Sequence, residues 1–156
     1  PQDATAYKSE PAAFQAEVSP ASLIGAGARF SGAASIVVPA NGALQLVPAQ
    51  GYTASAWVKL DAAQAQAHLL TLADGASSLV LGVDGVTPFA ELRSGASTTA
   101  RATGSAPLAT GEWVHLAVRV GAGKLALLVN GAAAGAADAT PPAIAEQLQP
   151  VRRRDG

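Results

Sequence analysis

Eleven carboxylates, two histidines and two tryptophans are the side chains of this 156-residue chain best suited to catalysis, metal binding or ligand stacking. Paired-carboxylate hydrolysis on a strand needs acids at i, i+2 or i+4, so that both project from one face at about 5 Å. The acids are Asp3, Glu10, Glu17, Asp61, Asp74, Asp84, Glu91, Glu112, Asp138, Glu146 and Asp155, and no two stand two or four apart. The spacing thus gives no support to that chemistry. A Ser–His–Asp arrangement would have to use His68 or His115, and no Gly-x-Ser-x-Gly elbow offers a nucleophile. Cysteine is absent, which removes thiol chemistry, disulfides and cysteine-held zinc. Asp74 and Asp84 each precede a glycine and read first as turn residues.

Trp57 and Trp113 sit in alternating segments, residues 51–59 and 111–120, and the second runs through a Gly-rich turn into residues 124–131. Period-two alternation ended by Gly and Asn predicts half-buried antiparallel strands rather than helices. In the second segment His115 shares a face with Trp113, Ala117 and Arg119, while Val114, Leu116, Val118 and Val120 face the other way. That places His115 as a structural imidazole on the sheet. His68 opens an apolar strand, at its solvent edge. An aromatic face packs well on a pyranose ring, so Trp57 and Trp113 are the candidate ligand platform. Only 4% of the residues are aromatic, and the reading that gives both rings to the core takes precedence, together with Tyr52 and Phe89.

Further strands are expected at residues 68–72, 78–83, 88–93 and 97–103, the last one exposed, with residues 61–67 as a short helical turn or loop. Asn41-Gly42 and Asn130-Gly131 are turn signals, the latter of type I′. Strands at such regular spacing, with no helical period between them, predict an all-β antiparallel sandwich or jelly roll.

The phrases Thr53-Ala54-Ser55-Ala56-Trp57-Val58-Lys59, Gly111-Glu112-Trp113-Val114-His115-Leu116-Ala117-Val118 and Leu127-Leu128-Val129-Asn130-Gly131 stand in this order. Together with Gly25-Ala26-Gly27-Ala28-Arg29-Phe30-Ser31-Gly32, they resemble the bacterial laminin-G-like jelly-roll domains of the concanavalin A-like superfamily. The resemblance implies a concanavalin A-like sandwich with a glycan or surface protein as partner. It also implies calcium as the usual ion, for which Asp74 and Asp84 are the best-placed loop acids. The alanine-rich style is similar to envelope proteins with a MotA/TolQ/ExbB-type proton-channel region, which implies an extracytoplasmic, periplasmic or secreted location.

The resemblance covers residues 25–136, after an irregular lead-in at 1–24. Residues 137–156, with Pro141-Pro142 and Arg152-Arg153-Arg154, read as a tail outside the family pattern. A sandwich lacking its last strands is therefore expected, with an exposed edge open to strand association. The chain has no methionine, as expected of a processed chain, an excised domain or a fragment. A formal net charge of −1 gives no electrostatic reason for nucleic acid, and no apolar run is long enough to insert in a membrane. The functions in play are a non-catalytic binding module, a ligand-free spacer or periplasmic sensing domain, and, more remotely, a glycosidase.

Overall fold

The computed structural model describes residues 11–39 and 50–140. The alternation seen at Trp57 and Trp113 becomes the strands β5 (Tyr52–Lys59) and β10 (Trp113–Gly121). They pair antiparallel over their whole length, from Trp113 opposite Lys59 to Val120 opposite Tyr52. β11 (Lys124–Val129) and β12 (Ala132–Asp138) extend this sheet in the order β12-β11-β10-β5. The second sheet is an up-and-down meander of β6 (Gln64–Asp74), β7 (Ser77–Gly85), β8 (Thr87–Ser94) and β9 (Ser97–Thr103). Nearer the N-terminus, β1 (Ala13–Phe14) pairs with β4 (Ile36–Val37), and β2 (Glu17–Ser19) with β3 (Gly27–Arg29).

The two four-stranded sheets pack face to face, as an antiparallel jelly-roll sandwich requires. Period two decides which residues meet between them. Leu79, Leu81 and Val83 of β7, with Ala90 and Leu92 of β8, meet Val114, Leu116, Val118 and Val120 of β10 and Leu125 and Leu127 of β11. Leu60 and Leu108 plug the core from the connections. The sandwich is closed along one side, where β12 lies on β9. Gly135 approaches Thr103 so closely that an added Cβ would collide with its carbonyl oxygen, and Ser105 N–H donates to Ala134 C=O at 3.0 Å.

Five elements differ from the sequence reading. Ala13–Phe14 and Glu17–Ser19 form short strands in the stretch expected to be irregular, since Pro11 and Pro20 lie outside the pairing residues. Residues 64–67 belong to β6 rather than to a turn, because Gln64 and Ala67 pair with Gly85 and Val83 across register shifts. β9 is half-buried rather than exposed, with Ala100 and Ala102 in the core. β12 arises from an Ala/Gly run that carries no strand signal of its own. The type I′ turn at Asn130-Gly131 is as expected, with φ of +50° and +81°. The Asn41-Gly42 turn and residues 141–156 lie outside the described residues.

Candidate functional site

Each sheet turns one face to the core and one away, and the outward faces carry the polar chemistry. On the β5–β10 sheet, the outward row is Thr53, Ser55, Trp57 and Lys59 opposite Arg119, Ala117, His115 and Trp113. Trp57 is 51% exposed, and its ring centroid lies 5.2 Å from that of His115 at an interplanar angle of 56°. The two tryptophans share one face, two residue pairs apart along the strands. This corrects the core reading. The alternation that buries Val58 and Val114 must turn Trp57 and Trp113 outward. Asn130 anchors the neighbouring backbone: its side-chain Oδ1 accepts from His115 N–H at 2.9 Å, and its own N–H donates to His115 C=O at 2.8 Å. Among the described residues, Lys59 and Arg119 have no ion-pair partner, so this face carries free cations beside an exposed ring.

The outward face of the β6–β9 sheet is built differently. Glu91 is the buried charged residue among those described, at 2% exposure, and it points away from the inter-sheet core. Arg93 approaches its Oε2 with Nε at 2.7 Å and Nη2 at 2.5 Å, while Arg101, directly opposite on β9, pairs with Oε1 through Nη1. Both carboxylate oxygens are thus engaged. The Arg101 guanidinium also lies 4.1 Å over the Phe89 ring, a cation–π contact. Phe89 is buried as expected, but on this outward face. It lies across Gly82, where an added Cβ would come within 2.6 Å of Cζ. His68, at mid-strand rather than at a solvent edge, meets Phe89 edge-on with centroids 6.4 Å apart. Burial first, and then the charge of Arg93, hold its pKa below the usual imidazole value, while Glu91 pulls it the other way.

Asp74 and Asp84 end up at opposite ends of one hairpin. Asp74 Oδ1 accepts from Ser77 N–H at 2.9 Å, fixing the β6–β7 turn. Asp84 is exposed in the pair with Thr87 at the other end of β7, roughly 23 Å of strand from Ser77 at about 3.3 Å per residue. The structure does not bring the two acids together. Among the described residues, no group of three or more His, Asp or Glu is close enough to share a cation.

Glycosidic cleavage calls for two carboxylates about 5–10 Å apart; Glu91 has both oxygens held by guanidinium groups, and Asp84, on the same face, lies four residues along β7 from Val80, the partner of Glu91. The family described as the concanavalin A-like lectin/glucanases superfamily, laminin-G type, matches residues 30–152. The chain belongs to this family. No curated protein and no solved structure matches it.

Sequence reasoning passed over Glu91, Arg93, Arg101 and His68 as a group. The signal was available, since Glu91 stands two residues from Phe89 and Arg93 in one strand, and such neighbours share a face. What was missing was the β8–β9 register, which alone puts Arg101 opposite Glu91.

Proposed function

We propose that this chain is a non-catalytic glycan-binding module whose ligand docks on the outward face of the β5–β10 sheet. The observation that carries the proposal is the half-exposed Trp57 ring beside His115. An apolar aromatic face suits the C–H face of a pyranose. The His115 imidazole, the Ser55 hydroxyl and the Lys59 ammonium around it can hydrogen-bond the ring hydroxyls. Membership of a lectin-like superfamily supports carbohydrate as the ligand class.

The test is a neutral glycan array probed with the wild-type chain and with Trp57→Ala. The proposal expects binding to at least one glycan, reduced about tenfold or more in the variant, with a stability cost below ~1 kcal/mol because the ring is half in water. A flat array with the wild-type protein would contradict it and leave a spacer.

A further inference from the structure

Sheet edges expose unpaired backbone groups, and soluble proteins blunt them with bulges, charges or a covering element. The outer strands of this sandwich are blunted in this way, with one exception. β9 and β12 lie on each other, where Gly135 approaches Thr103. β6 borders the open side, but its ladder with β7 is broken by register shifts at Gln64/Ala67 and His68/Leu70, and Gln66 has a φ of +46°. Such irregularities bend a strand away from the line a further strand would follow. β5 is the exception. Its register with β10 runs unbroken, it holds no proline, and its one charge, Lys59, stands at its end. Its 8 residues, at about 3.4 Å each, give a regular edge roughly 27 Å long. Half of its N–H and C=O groups point away from β10. Among the described residues, no other backbone group pairs with them.

The side chains of β5 show the same open flank. Tyr52, Ala54, Ala56 and Val58 point toward the core and are only partly buried. The residues opposite them on β10, from Val120 to Val114, are buried. The difference is that β10 has a strand on each side and β5 has one. On the facing sheet Leu70 and Leu72 of β6 are likewise only partly buried. A strand with apolar inward and polar outward positions would cover this row, and β5 itself has that pattern.

We infer that β5 is a homodimerisation edge: two copies pair through it, antiparallel about a twofold axis at Ala56, and join their four-stranded sheets into one. Period two allows only registers that set inward positions against inward ones. About Ala56, Ala54 meets Val58 of the partner subunit, Ser55 meets Trp57 of the partner subunit, and Thr53 meets Lys59 of the partner subunit. Small residues face large ones, and no like charges oppose each other. An axis at Ser55 would instead set Tyr52 against Val58 and Ala54 against Ala56, large on large and small on small. The contact runs along the edge of the sheet and leaves the outward face open, so it does not rest on the glycan reading. An edge of this length makes a small interface and hence a weak dimer, with a Kd of roughly 10 µM to 1 mM.

Sedimentation equilibrium of the full chain from about 5 µM to 1 mM, with no glycan present, tests the inference. The expected result is a monomer–dimer equilibrium without larger species, because a twofold contact closes on itself. Thr53→Lys sets lysine against Lys59 at both ends of the contact and should weaken the dimer about tenfold. Adding Lys59→Glu to that variant sets opposite charges there and should restore the wild-type Kd. Within one chain residues 53 and 59 stand about 20 Å apart along β5. A loss caused inside the chain, for instance by Arg119 opposite Thr53, would therefore not be rescued. Should Thr53→Lys not fold, hydrogen exchange of the wild-type β5 amides carries the test, and it should be slower at the high concentration than at the low one. A monomer at every concentration, a dimer as strong in Thr53→Lys as in wild type, no rescue by the double variant, or β5 exchange independent of concentration would each overturn the inference.

Discussion

Glu91 and His68 show how a single position on a strand acquires its properties from partners that lie far away in sequence. Glu91 is buried with both oxygens held by arginines, and removing one member of a buried ion cluster is costly because the others keep their desolvated charge. Arg93 and Arg101 are each about a third exposed and can turn partly to water, which moderates the loss. Glu91→Gln should therefore destabilise the fold by about 2–3 kcal/mol in urea denaturation. His68 makes stability depend on pH. Its folded pKa lies below the usual 6.5, so below that value the unfolded chain binds the proton more readily than the folded one. Its contribution is intact above pH 6.5 and is lost as the pH falls from there through the lowered folded value. Thermal melts should lose stability as the pH falls below about 6.5, and His68→Gln should flatten that slope. Asp138 behaves separately: its hydrogen bond and ion pair with Lys124 hold its carboxyl below the usual 3.8, so its effect appears only in stronger acid. An equal slope in wild type and His68→Gln would remove His68 from this account. In the sequence both residues stood in strands that could be read, but burial by Phe89, Arg93 and Arg101 depends on strand register, which local composition does not encode.

Strand β12 is the element for which composition was least informative. Ala and Gly are depleted in strands, yet residues 132–138 pair with β11 and close the sandwich on β9. The Asn130-Gly131 turn launches it, and that turn was legible, because positive φ at both positions favours Asn and Gly. The small residues then serve close packing: a Cβ at Gly135 would collide with Thr103 C=O. Gly135→Ala should cost about 1–3 kcal/mol by forcing β12 off β9, measured as a fall in the denaturation midpoint. An unchanged midpoint would show that β12 is not seated as described. Strands with larger side chains were legible, β5, β7, β8 and β10 above all, since their alternation reports directly which face meets the core.

At the scale of the molecule, the sandwich has one side closed by β9 and β12, while β5 and β6 border the other. Among the described residues β5 pairs only with β10, leaving its other edge free to join a further strand. The fold class was legible because the alternating phrases fixed both the strands and the family. The outward faces were less so: the scarcity of aromatics argued for burying Trp57 and Trp113, whereas the strand pairing turns them outward beside Lys59 and His115. The whole account rests on Trp57 acting as a recognition surface. The most direct test follows the indole N–H signals of Trp57 and Trp113 by NMR while a neutral glycan chosen from the array is added. The account predicts a saturable shift of the Trp57 signal, lost with Trp57→Ala. A titration that binds the glycan and leaves the Trp57 signal in place would contradict it.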